Sequence, residues 1–326
     1  MRALVRVVLV LAVLYAGYWF VGSRALERGA EAWFQQQAAA GFIAERESLS
    51  VQGFPSRFDL TVNGLRLADP ATGIGWEAPF VQVFSLSYKP WHVIAAFAPQ
   101  QIVRTPSDDV TLDAAKLQAS VIVTPGPALA LDRVALAGEG LRATSSIGWS
   151  LAADSARFAT RRLDGTDNAH DIGIEATNIS PDASLLTALG AASLPGQIDL
   201  ARLTATASFS APLDRHAGAT RPQLLALEIG EGLLRWGDLG LFARGSLVAD
   251  AQGQAEGRVE FRLDNWPKAV DLAVALGLMT PEVAPTWRNA LTLLAAGGNT
   301  VEVPLTFAQG RMSLGPLPIG PAPRLH

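Results

Sequence analysis

Val7 to Gly22 is an unbroken apolar run of 16 residues, and it constrains the chain more than any other segment. Counted as helix from Ala3, with the charge of Arg6 snorkelling toward headgroups, it covers 20 residues by Gly22. That is about 30 Å at 1.5 Å per residue, the thickness of a bilayer core. Tyr15, Tyr18 and Trp19 cluster toward its far end, where amphipathic rings favour the membrane interface, and Arg2 and Arg6 stand at its near end. No polar face exists between Val7 and Gly22, which argues against the core helix of a soluble fold. Two readings remain. One is a retained anchor; the other is a cleaved signal peptide with Val21 and Ser23 as small residues before the cut. The length of the run and its bulky aromatic end favour the anchor. Arg24 and Arg28 come soon after it, so charge alone does not orient the helix. Orientation comes instead from the long strand-rich remainder, which must lie on one side, beyond the membrane from the N-terminus.

From Ser23 the pattern becomes amphipathic, with Leu26, Ala30, Trp33, Phe34 and Ala38 at helical spacing, and it stops at Gly41. This predicts a stem helix over 23–41 that packs Trp33 and Phe34 onto the adjoining sheet. After Gly41 the period is mostly two. Phe58, Leu60 and Val62 alternate with Asp59, Thr61 and Asn63; Val259, Phe261 and Leu263 alternate with Glu260, Arg262 and Asp264. Breaks at Pro55, Asn63-Gly64, Asp69-Pro70, Lys89-Pro90 and Asp164-Gly165 predict an antiparallel meander. Late in the chain two helices interrupt it. One runs from Pro267 to about Met279, and the second has Thr280 as N-cap and Trp287, Leu291 and Leu294 on one face. A shorter helix is expected around Pro181 to Leu189. The fold class is therefore mainly β with a few helices: a transmembrane helix (1–22), a stem helix (23–41) and a β-rich domain (42–326) built on a large curved antiparallel sheet.

Candidate chemistry is sparse. There is no cysteine, so thiolate metal sites, disulfides and a cysteine nucleophile are all excluded. The four histidines, His92, His170, His216 and His326, are too far apart for a local zinc-ligand spacing. A net charge of -4 with only 17% charged residues offers no broad basic face, so no nucleic-acid partner is expected. Gly138 to Ala143 matches a dinucleotide fingerprint, yet strand and turn residues stand where the pyrophosphate would need a helix N-terminus; it reads as a turn. His170, in the polar run from Asp167 to Asp171, reads as part of a solvated loop. Asp108-Asp109 lacks the further oxygens that calcium needs. No catalytic residue, cofactor or metal is expected, and the chain reads as a non-enzyme.

The order of particular segments is distinctive: Ser50 to Leu60 (SVQGFPSRFDL), Trp76 to Phe80, Phe84 to Pro90, Trp236 to Gly240, Pro304 to Gly315, and a closing PLPIGPAP. In these the chain resembles the uncharacterised proteobacterial family catalogued as domain of unknown function 2125, from the anchor to the C-terminus. More loosely, anchor, stem and β-sheet are similar to AsmA-like envelope proteins, whose open β-grooves are associated with lipid traffic; this chain is far shorter than the large members. The resemblance implies a bacterial inner-membrane protein, single-pass, with its body in the periplasm. Its expected partners are the membrane, a lipid or amphipathic envelope component, and other envelope proteins. A lipid groove would be lined by the inward set of the alternating strands: Phe58, Leu60, Val62, Val259, Phe261 and Leu263. The alternative is a structural or assembly factor whose apolar sheet face is core, filled by the helices between Pro267 and Ala296.

Overall fold

The computed structural model describes all residues except 167, 191–193, 276, 278 and 316. The protein begins with one helix, α1 (Arg2–Ala39), that runs without interruption through the segments expected as separate anchor and stem. Ser23 changes the character of the helix surface; it does not break the backbone, since no proline stands between residues 2 and 39. This helix is long and apolar enough to cross a membrane. Its side chains from Leu4 to Leu14 are mostly more than half exposed, so protein does not cover them. Beyond α1 the chain is mainly β, and it divides into two compact units. One comprises Met1–Val123 with Arg142–Ile147, the other Thr124–Leu141 with Gly148–His326.

In the first unit, β3 (Arg57–Asp69) and β4 (Ile74–Leu86) form a long antiparallel pair. The outer side of β3 is taken by two short strands in succession, β1 (Ile43–Glu45) and β2 (Ser48–Gln52). The outer side of β4 is taken by β5 (Lys89–Phe97) and β6 (Gln100–Arg104), and both pair in turn with β7 (Asp109–Val123). Asn63-Gly64, expected as a break, lies inside β3. Asn63 pairs with Phe80 and Leu65 with Ala78, so register is kept across the gap. Gly64 makes this work: its φ is +60°, and a Cβ there would lie 2.3 Å from Glu47 Cγ in the β1–β2 link. Helix α1 lies on the apolar face. Phe34 is buried with Leu60, Val62, Leu65, Ala78 and Val81. Trp33 meets the Phe34 ring edge-on at 5.1 Å, yet it stays 44% exposed at the rim of the contact. Nearer the N-terminus, Tyr15 Oη and Ser87 Oγ share a hydrogen bond of 2.8 Å, Tyr18 Oη donates to Ser87 O at 2.6 Å, and Trp19 Nε1 donates to Arg57 O at 2.6 Å.

The second unit contains most of β8 (Leu131–Ser145), then β9 (Ser150–Arg162), β10 (Ala169–Pro181), α2 (Ala183–Ala188), β11 (Ile198–Phe209), α3 (Ala217–Thr220), β12 (Leu224–Trp236), β13 (Leu239–Ala249), β14 (Ala255–Asp264), α4 (Trp266–Ala275), α5 (Ala284–Leu294), β15 (Thr300–Ala308), β16 (Arg311–Leu314) and β17 (Leu317–Pro321). From β9 to β17 each strand pairs antiparallel with the next. Helices α4 and α5 cover one face: Trp266, Val270, Ala284 and Leu291 pack on Val301, Val303 and Leu314. α5 starts about one turn later than the expected cap at Thr280; Val283 is its N-cap and Pro285 lies in its first turn. The expected end of α4 near Met279 runs through residues 276 and 278, outside the described residues. Leu294, expected on the buried face of α5, is 52% exposed. The Gly138 to Ala143 segment lies within strand β8, not in a turn.

Candidate functional site

Strand register sorts the residues of the second unit into two faces. On β13, β14 and β15, Ala243, Phe261 and Val303 stand side by side on the helix-covered face, and Phe242, Arg262 and Glu302 on the opposite one. The opposite face is charged. Arg262 lies 3.8 Å from the Phe242 ring centroid, and Arg244 and Arg258 pair with Glu260 at 3.0 and 3.4 Å. With Pro304 and Gly230 these residues bound a cavity of about 520 Å³. Beside it, Ala159, Gly173 and Thr204 align across β9, β10 and β11 as the floor of a second cavity of about 440 Å³. Asp171 on its wall accepts from Arg161 at 3.0 Å and from the Thr206 hydroxyl at 2.9 Å. The arginine hydrogen bond first, then the hydroxyl, holds this carboxyl below the usual carboxylate range. An ionised carboxylate already paired to arginine is a structural ion pair and is not poised to accept a proton near neutrality.

The same register continues the apolar face from the helix-covered strands onto β9, β10 and β11. Phe158, Ile174 and Leu203 form one row; Thr160, Ile172 and Ala205 form the next; Ala156, Ala176 and Ala201 a third. Among the described residues no hydrophobic cluster includes Phe158, Ile174 or Leu203, and Ile174 is 44% exposed. The result is an apolar row on this sheet face in which Ile174 is exposed and Phe158 and Leu203 are half-buried.

The six residues expected to line a groove lie elsewhere. Phe58, Leu60 and Val62 belong to the first unit and are 6, 8 and 7% exposed. The Phe58 ring stacks on Trp19 of α1 at 6.0 Å, and Leu60 and Val62 lie in the cluster around Phe34. Val259, Phe261 and Leu263 belong to the second unit. Val259 is buried with Ala255 and Phe307, and Phe261 and Leu263 pack against the cluster under α4 and α5. None of the six is an exposed side chain. Periodicity identified faces that are buried, and helices α1, α4 and α5 do much of the burying. The row on β9, β10 and β11 escaped notice because Phe158 is followed by Ala159 and Ile174 is preceded by Gly173, so alternation there is weak.

His170 also differs from expectation. It stands on β10, not in a solvated loop, and is 1% exposed, because alternation turns it to the apolar face while Asp171 turns to the charged one. Asp167 lies outside the described residues. Asp108 is taken up by the end of β8, accepting from Ser145 Oγ and from Ser146 N and Oγ, and Asp109 pairs with Arg104 at 2.7 Å. Among the described residues no group of three His, Asp or Glu is placed to hold a metal.

A family model for uncharacterised proteins conserved in bacteria, DUF2125, matches residues 19–323, nearly the whole chain beyond the apolar run. The chain belongs to the DUF2125 family. No match was found among curated proteins or among solved structures. The DUF2125 region takes in both β-rich units and the half of α1 that packs on β3, so what the family shares includes the seat of the helix as well as the sheet.

Proposed function

We propose that this DUF2125 protein is a non-enzymatic component of the bacterial envelope, held in the inner membrane by α1 with its body in the periplasm, and that it presents the apolar row Phe158, Ile174 and Leu203 to a lipid chain or another amphipathic envelope molecule. The observation that carries the proposal is the exposure of Ile174 in the centre of an apolar sheet face. Apolar surface left uncovered, as at Ile174, costs solvation unless something occupies it, about 25 cal/mol for each Å². In a chain anchored in a bilayer, acyl chains are the apolar molecules nearest at hand. The similarity of the anchor-and-sheet arrangement to AsmA-like proteins points the same way as fold-level analogy.

The test separates an open row from closed core. A photo-crosslinking residue placed at Ile174 in the full chain, in membranes, is expected to give a lipid adduct. Ile174→Asp is expected to abolish an adduct formed from Phe158 while leaving the melting temperature nearly unchanged. Phe261→Asp, which buries an unpaired carboxylate, is expected to unfold the second unit. No lipid adduct from either Ile174 or Phe158 removes the lipid reading and favours an assembly factor acting through protein contacts.

A further inference from the structure

We infer that the first unit docks into the membrane interface through two strand-end turns, around Phe54 and Tyr88, so that the protein holds the bilayer by a spanning helix and by aromatic tips beside it. The inference rests on the reading of α1 as a membrane anchor.

The reason is where the turns meet the helix. Ser87 is fully buried, its hydroxyl bonded to Tyr15 and its carbonyl to Tyr18. The preceding helix from Arg2 to Leu14 rises only about 20 Å, well short of a hydrocarbon core of about 30 Å. To fill the core, the bilayer must climb α1 beyond Tyr15, and in doing so it reaches the turns. The side chains there suit that position. Phe20 is 57% exposed, Phe54 54% and Tyr88 65%. Phe54 stacks on Phe20 at 5.6 Å and meets the edge of Trp19 at 5.4 Å, so helix and turn share one aromatic cluster. Aromatic rings of this kind collect at the membrane–water boundary.

The backbone of the turns suits it as well. A chain segment entering a region poor in water has to satisfy its own N–H and C=O groups. Ser87 N donates to Ser56 O at 2.9 Å, Arg57 N to Gly53 O at 2.9 Å, and the carbonyls of Ser87 and Arg57 accept from Tyr18 and Trp19. The two turns bond to each other and to the helix. The Arg57 side chain beside this cluster is 56% exposed, with its guanidinium paired to Asp59 at 2.7 Å, so this rim of the cluster is polar.

The chain has no cysteine, so single cysteines can be labelled cleanly. Nitroxide would be attached to Phe54→Cys, Tyr88→Cys, Leu11→Cys and Ala71→Cys, each in the full chain in vesicles of phosphatidylethanolamine and phosphatidylglycerol. Ala71 is an exposed residue in the turn after β3, about 40 Å along that strand from Arg57. Paramagnetic relaxation by oxygen and by a water-soluble nickel chelate would be compared. The oxygen-to-nickel ratio at positions 54 and 88 is expected to exceed that at position 71 several-fold, and position 11 to be higher still. If position 54 or 88 is as open to nickel as position 71 while position 11 is protected, the docking is overturned and the anchor stands. If position 11 is itself open to nickel, both are overturned.

Discussion

His170 shows how far a single residue's role depends on its face of a strand. Its ring is buried, its Nδ1 lies 3.4 Å from Thr160 Oγ1, and Nε2 has no hydrogen-bond partner among the described residues. Burial, followed by the nearby charge of Arg162, pushes its pKa below that of an ordinary histidine. The unfolded chain binds a proton at this position near pH 6.5, whereas the folded one does so only at lower pH. Stability from keeping the ring neutral is therefore complete above about pH 6.5 and is lost as pH falls from there toward the depressed folded value. Urea unfolding at pH 7.5 and 5.5 should show the wild type weaker at the lower pH. His170→Leu should show a smaller difference; equal differences would mean that the ring is protonated in the fold.

At the scale of the element, α1 joins two environments along one unbroken rod. Phe34 lies in the core of the first unit, so Phe34→Ala is expected to cost about 3–5 kcal/mol. Trp33→Ala, one position away, is expected to leave the unfolding midpoint almost unchanged, and chemical denaturation of both variants in detergent checks the contrast. The amphipathic pattern identified the helix and its aromatic side correctly but could not tell the two rings apart, since neighbours on a helix are about 100° apart and only the partner surface decides between them. Strand β3 was legible from Phe58, Leu60 and Val62. Its continuation through Asn63-Gly64 was not, because the same dipeptide serves a hairpin or a strand interior according to whether Glu47 stands behind it. The start of α5 was missed for a related reason: Thr280 and Pro281 carry a valid start signal, and the backbone uses it for a turn.

For the whole molecule, the apolar run, the mainly β body and the pair of late helices could all be read from the residues alone, because each leaves a periodic signal of its own. The candidate site could not. Alternation states that one face is shielded and is silent on what shields it, and pairing Phe158 with Ile174 and Leu203 needs strand order across some 50 residues. Topology remains the most economical global test of the proposed placement. A reporter active only in the cytoplasm, fused after His326, is expected to give no signal, and one active only outside it a strong signal; the reverse would place the β-rich units in the cytoplasm.

The last strand carries a consequence of its own. β17 pairs antiparallel with β16, and the described pairings put no other strand of the second unit on its other flank. Such a flank is where a second copy of a β protein adds itself and starts a fibre. Two of the residues of β17, Pro318 and Pro321, have no amide hydrogen to offer, so a strand arriving there finds an interrupted row of donors. Proline in the closing segment thus works against the growth of a many-stranded sheet from one molecule into the next.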